Sequence, residues 1–288
     1  MTLEKRTRDS WIFDWSEALL HDLRYSVRAL RRNRGMAAVA VLSIALGIGA
    51  ITAVFSVLDA LMLRILPVRN PEELVRLVNP SSPGFGFSYS QYERFRGLRG
   101  PFSSVAAIFN SDRSNIAVSG TDGGIEPSAL QLALVSGDYF ATLGIASAIG
   151  RVFVPDDDSP PNDRPVAVIS YGYWERRFGL SPNVLDATLT LNDTVYSIIG
   201  VTSRGFSGDW VGKPTDVWIP LAMQSRVVLE RRDRRVPWLR LVARLKPGVP
   251  LKQAQAAAQV IYTQTIREMP NLRPQMRESL LQERVELE

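Results

Sequence analysis

The chain of 288 residues contains no cysteine and a single histidine, His21. The first absence excludes disulfides, thiolate metal sites and cysteine nucleophiles together. The second confines imidazole chemistry to the N-terminal leader, so the long C-terminal part has neither a Ser-His triad nor a histidine-based zinc site. A phosphate-cradling P-loop is missing too. The nearest stretch, Ser207-Gly208-Asp209-Trp210-Val211-Gly212-Lys213-Pro214, lacks the first glycine and the hydroxyl that must meet phosphate and magnesium. Asp156-Asp157-Asp158 lacks the spaced ligands and the glycine of an EF-hand loop and reads as a solvated acidic loop. A Ser-Lys nucleophile pair is left to Lys213, Lys246 or Lys252. Lys246 belongs to a turn and Lys252 opens an exposed helix, so we expect no enzyme, no metal site and no cofactor bound by this chain.

What is present is a long apolar run. Residues 35–58 carry no charge, enough to cross a bilayer core as one helix of about 20 residues or more. Arg24, Arg28, Arg31, Arg32 and Arg34 precede it against the single acid Asp22. Positive flanks are retained in the cytoplasm, which predicts a cytoplasmic N-terminus and an extracytoplasmic main domain. A cleaved signal peptide would need a short basic segment, an apolar core of roughly 7–15 residues and a small-x-small site, and the leader here is too long and the run too extended. Three parts follow: a leader at 1–34, a transmembrane helix at 35–66 and an outer domain at 67–288. The net charge of +5 lies largely beside the membrane, where arginines meet anionic lipid, so nucleic acid is not an expected partner.

Trp15, Leu19, Leu23, Val27 and Leu30 recur at helical spacing, with Arg24, Arg28, Arg31 and Arg32 beside them. That pattern predicts an amphipathic helix lying in the headgroup plane, with the bilayer itself as partner. An anchor collar with no further role fits the same pattern as well, and a calmodulin-type target helix fits it less well. Asn33-Arg34-Gly35 supplies a bend into the span. Inside it, Ala45, Gly49 and Ala53 repeat every four residues and form a small face suited to close helix packing.

The outer domain mixes both patterns and predicts an α+β fold. Strands are expected at 73–78, 105–110, 165–170, 195–201, 216–220 and 239–245, from their β-branched content. Helices are expected at 90–98, 137–143, 171–178 and 251–269, the last with Ala254, Ala257, Ala258, Ile261 and Thr265 on one side. Residues 154–165 and 79–86 read as surface loops and 110–124 as an inserted hairpin. Phe85, Phe87, Tyr89 and Trp210 are expected to fill the core rather than line a groove.

Several motifs carry a resemblance in order along the chain. Asp22-Leu23-Arg24-Tyr25, Ala29-Leu30-Arg31-Arg32-Asn33, Val41-Leu42-Ser43-Ile44-Ala45-Leu46-Gly47-Ile48-Gly49-Ala50 and Val54-Phe55-Ser56-Val57 resemble the amino-terminal end of MacB/FtsX-type ABC transporter permeases, most of all a bacterial subgroup often internally duplicated. Val135-Ser136-Gly137-Asp138-Tyr139-Phe140, Gly150-Arg151-Val152-Phe153, Gly205-Phe206-Ser207-Gly208, Asp216-Val217-Trp218-Ile219-Pro220-Leu221 and Ala243-Arg244-Leu245-Lys246-Pro247-Gly248-Val249 resemble the MacB-like periplasmic core domain. The resemblance implies a mixed α/β periplasmic domain of two subdomains in the bacterial inner membrane. It also implies a second permease copy, a separate cytoplasmic ABC ATPase subunit that alone binds ATP, and room for a periplasmic partner protein. The implied activity is mechanotransmission for efflux or extraction. Family members carry later spans and an ATPase-contacting loop beyond the point where this chain stops at Val285-Glu286-Leu287-Glu288, a polar end that reads as helical. The expectation is therefore the N-terminal portion of a permease that does not transport alone. A free-standing anchored binding module is the alternative, and a membrane-anchored hydrolase a distant third.

Overall fold

An uninterrupted apolar sequence dictates the first element of the computed structural model. The structure describes residues 32–62, 68–80, 86–98, 100–111, 130–159, 165–191, 194–210, 213–227, 237–270 and 272–288. After a bend at Asn33, helix α1 runs over Arg34–Met62. The window Arg34–Ala53 has a mean hydropathy of 2.2 and none of it is buried within the protein. Met36, Val39, Leu42, Ile44, Leu46, Ile48 and Ile51 are all exposed, whereas the core helix of a soluble domain would hide such residues. At about 1.5 Å per residue α1 exceeds the roughly 30 Å hydrocarbon core.

The chain divides into two compact units, residues 1–64 and 65–288. The second is built on one sheet. Its strands are β1 (Leu74–Val78), β2 (Phe102–Ser111), β3 (Leu132–Val135), β4 (Ser147–Gly150), β5 (Val166–Ile169), β6 (Thr188–Leu191), β7 (Thr194–Thr202), β8 (Val217–Pro220), β9 (Arg240–Leu245) and β10 (Glu286–Leu287). They lie in the order β10-β1-β9-β2-β3-β8-β5-β7-β4, with β6 also beside β7. The pairs β3–β8 and β5–β7 are parallel and the others antiparallel. One mixed sheet thus runs through the whole outer unit.

Strand alternation sends side chains to both faces. Val105, Ala107, Phe109, Leu132, Leu134, Ala167, Ile169, Val217 and Ile219 belong to one buried cluster; Ala106, Ile108, Ala133, Val135, Val166, Val168 and Trp218 belong to the other. The central strands are apolar on both faces because both faces are covered. Helices α2 (Tyr89–Leu98), α4 (Tyr171–Phe178) and α6 (Leu251–Glu268) supply Tyr92, Phe95, Tyr173, Ala254, Ala258, Ile261, Tyr262 and Ile266 to the first cluster. The short α3 (Tyr139–Leu143) supplies Tyr139, Phe140 and Leu143 to the second. The single turn α5 (Gln224–Val227) and α7 (Pro274–Gln282) complete the α-helices among the described residues. Helix α4 shows how sequence sets its ends: Ser170 Oγ accepts from the Tyr173 amide at 3.1 Å, and Gly179 closes it at φ 56°.

The span helix and the strands and helices expected in the described part of the outer domain are found, with ends displaced by a few residues. Strands β3, β4, β6 and β10 and helix α7 were not expected, and residues 286–287 form a strand where the sequence reads as helical. The acidic triplet is a second correction. Pro155–Asp158 forms a 3-10 turn in which Asp157 and Asp158 are buried at 9% and 3% exposure, so the solvated loop is limited to its first acid. The inserted hairpin expected at 110–124 lies almost wholly outside the described residues.

Candidate functional site

Two features bear on function: the apolar helix, and the polar contacts that fix the chain's path through the outer domain. Trp15, Leu19, Leu23, Arg24, Val27, Arg28, Leu30 and Arg31 lie outside the described residues. Arg32 is exposed just ahead of α1. Ala45, Gly49 and Ala53 fall on one face of α1, all exposed, and a Cβ built on Gly49 meets nothing within 4 Å. The face therefore has room for a closely packed partner helix.

In open α/β sheets, the carboxyl ends of parallel strands form the place where ligands bind. Here β3 and β8 are such a pair, ending at Val135 and Pro220. The two backbone amides just beyond them are already occupied by the chain itself. Asp158 Oδ1 accepts from Ala222 N at 2.6 Å and Oδ2 from Gly137 N at 3.3 Å. Burial pushes the Asp158 carboxyl up to about 7, against the lowering effect of these two amides and of Arg96, while Asp138 adds to the rise. Its neighbour Asp157 goes the other way. Burial opposes its charge, yet a two-pronged contact from Arg151 (2.6 and 2.8 Å) and the Val154 amide (2.9 Å) hold it below the usual carboxylate range.

The motif residues are now explained by contacts. Ser136 exchanges bonds with Ala107, its amide donating to Ala107 O and its Oγ accepting from Ala107 N, both at 3.0 Å. Gly137 must be glycine, since a Cβ there would sit 2.6 Å from Val154 O. Asp138 pairs with Arg96 at 3.0 Å. Phe206 stacks on Trp218 at 5.6 Å and 21°. Asp216 accepts from Arg176 at 2.7 Å and from Gln131 N at 3.2 Å. Arg244, 12% exposed, reaches Thr142 O (2.8 Å), Glu73 (3.0 Å) and Arg69 O (2.6 Å), which ties the segment entering the domain to β9. These are interior contacts that shape a scaffold.

Arg240 and Asp209 form an ion pair at 2.8 Å with side chains 10% and 7% exposed, and the guanidinium lies 4.7 Å from the ring centre of Trp210. Trp210 is 41% exposed, so it is not the core residue expected, whereas Phe87 is buried edge-on to Phe95 and Tyr262. Phe85 lies outside the described residues. Tyr89 is partly buried against Tyr92. Of the lysines considered as nucleophiles, Lys246 Nζ donates to Gly100 O at 2.8 Å, Lys213 Nζ sits 5.2 Å over the Trp210 ring and Lys252 is exposed at the start of α6. Among the described residues no group of three or more His, Cys, Asp or Glu could hold a metal ion.

This sheet, with the motifs in the places just described, is matched by the family model for the MacB-like periplasmic core domain, over residues 37–261. The chain belongs to that family. Over 96 residues it is 33% identical to the Macrolide export ATP-binding/permease protein MacB of Burkholderia cenocepacia (strain HI2424), and equally to that of Burkholderia orbicola (strain AU 1054). The matched stretch is 32% of this chain and only 14% of each relative's length. The periplasmic region of MacB from Actinobacillus actinomycetemcomitans is similar in fold, with TM-score 0.52 and 16% identity over 67% of this chain and 83% of that one. A permease-protein domain from Porphyromonas gingivalis is similar too, with TM-score 0.53 and 13% identity over 78% and 92%. The outer unit is thus a mixed α/β domain of the MacB-like periplasmic core kind. Its family motifs were legible in sequence, but what they do was not: a Gly137 that admits another backbone cannot be told from a turn glycine without the partner segment.

Proposed function

We propose that this chain is the N-terminal portion of a permease subunit of the MacB/FtsX kind. In this reading α1 spans the inner membrane, the leader lies on the cytoplasmic surface, and the MacB-like domain works in the periplasm. Hydrolysis of ATP by a separate cytoplasmic ABC ATPase subunit moves that domain for efflux or extraction. A second permease copy packs on the Ala45-Gly49-Ala53 face, and a periplasmic partner protein has the exposed domain surface to bind. The observation that carries the reading is the continuity of the family match, which runs through the exposed apolar helix and on across nearly the whole sheet. Two facts support it. The Asp158 side chain takes up the Gly137 and Ala222 amides beyond the ends of β3 and β8, and two largely buried ion pairs link segments of the scaffold.

The test is to co-express the chain with an ABC ATPase subunit and the remaining permease spans, and to follow limited proteolysis of the periplasmic domain in membrane vesicles. The expected result is a cleavage pattern that changes when ATP replaces ADP and does not change with a hydrolysis-dead ATPase. A pattern indifferent to nucleotide would leave an anchored binding module as the better reading.

A further inference from the structure

The last described strand is held by its backbone on both sides. In a strand, the amide and carbonyl groups of successive residues point to opposite sides within the sheet plane. On one side β10 meets β1: Glu288 N donates to Arg76 O at 3.0 Å and Arg76 N to Glu288 O at 2.8 Å, with Leu77 opposite Leu287 and Val78 opposite Glu286. The groups facing away from β1 would form an open sheet edge, which is a template for pairing with other chains. They meet two glutamines of α6 instead. Gln259 Oε1 accepts from Val285 N at 2.9 Å and its Nε2 donates to Glu283 O at 3.1 Å. Gln255 Oε1 accepts from Leu287 N at 2.8 Å and its Nε2 donates to Val285 O.

The spacing makes the match possible. Residues four apart in a helix share a face and rise by about 6 Å; residues two apart in a strand advance by about 6.6 Å. Gln255 and Gln259 therefore stand opposite residues 283, 285 and 287 as a neighbouring strand would. A carboxamide offers both a donor and an acceptor, so each glutamine reproduces the two-way bonding of a peptide group. Tyr262, three residues further along the same face, donates to Glu283 Oε2 at 2.6 Å, and Asn79 donates to that oxygen as well at 2.6 Å. A cleft of about 490 Å³ borders the ladder, lined by Gln255, Gln259, Glu283 and Val285 among others, leaving the amides room to swing aside without moving α6.

We infer that Gln255 and Gln259 form a backbone-reading latch, a surrogate strand that holds residues 283–288 at the sheet edge and lets them open as a unit while the other strands stay paired. Holding by backbone makes the latch indifferent to the solvent-facing side chains Arg284 and Glu286. The inference needs only the folded domain and stands whatever subunit the chain serves.

Hydrogen exchange on the full chain in detergent micelles tests it, comparing wild type with Gln255→Ala, Gln259→Ala and Gln259→Glu. The expected result is exchange of residues 283–288 at least tenfold faster in each alanine variant, with β2 and β9 as protected as in wild type. Gln259→Glu keeps an acceptor for Val285 N but sets a carboxylate oxygen against Glu283 O in place of the donor, so it too should accelerate exchange of residues 283–288. Equal exchange of residues 283–288 in all four proteins would overturn the latch. So would a uniform acceleration across every strand, which would make the glutamines ordinary contributors to global stability. If an alanine variant fails to fold, the comparison of Gln259→Glu with wild type decides, because local acceleration confined to residues 283–288 is expected there as well.

Discussion

Among the described carboxyl groups, Asp158 is the one that burial raises most. It is 3% exposed, joins the turn Pro155–Asp158 to two other segments through Ala222 N and Gly137 N, and is held near 7 chiefly by burial. A carboxyl raised in the folded state keeps its proton longer there than in the unfolded chain. The stability it contributes is complete below the ordinary carboxylate range and is lost as pH rises through about 7. With one pKa unit equal to about 1.4 kcal/mol, the rise from 3.8 to about 7 corresponds to a change on the order of 4 kcal/mol. Melting of the outer domain should therefore fall between pH 5 and pH 8, and Asp158→Asn should flatten that fall. A wild-type profile that is level or rising over the same range would show the site to be more polar than its contacts imply. Asp157 titrates in the opposite sense, because Arg151 holds it low, so its effect appears only in strong acid.

At the scale of elements, legibility followed how local the cause of each element is. Strands β1, β2, β5, β7, β8 and β9 were readable because β-branched residues favour an extended, half-buried backbone wherever they occur. Strand β3 was not: Leu132-Ala133-Leu134-Val135 and the residues before it are good helix formers, and only burial between β2 and β8 makes them extended. Strand β10 owes its existence to β1 on one side and two glutamines on the other, contacts from residues far away in sequence. Burial of Asp157 and Asp158 was hidden for the same reason, since their partners Arg151, Gly137 and Ala222 carry no local signature. Helix α1 is the opposite case, with an apolar run that announces itself. Its small face at Ala45, Gly49 and Ala53 is exposed, and lipid offers helices no hydrophobic drive to associate, so packing at such a face depends on close approach. Gly49→Leu should thus weaken self-association of α1 by roughly tenfold, or about 1.4 kcal/mol, in a membrane two-hybrid or dilution assay. Association unchanged by the leucine would place any partner on another face.

For the whole molecule, the decisive property is which side of the membrane the MacB-like domain occupies. The chain enters that domain through residues 69–73, fastened by Arg244, and its last residue pairs with Arg76 only a few positions further along β1. Strands β1 and β10 are therefore neighbours. Orientation then rests on charge: Arg24, Arg28, Arg31, Arg32 and Arg34 against Asp22, an excess that predicts a cytoplasmic N-terminal side. The absence of native cysteine makes the test direct. Single substitutions Ser26→Cys and Asn162→Cys place one thiol in the sequence before the span and one in the sequence of the outer domain. Treated on intact cells with a membrane-impermeant maleimide, Asn162→Cys should label and Ser26→Cys should label only after lysis. The reverse pattern would put the MacB-like domain in the cytoplasm. Nucleotide-driven motion could then no longer reach it through α1, and the permease reading would fall together with the orientation.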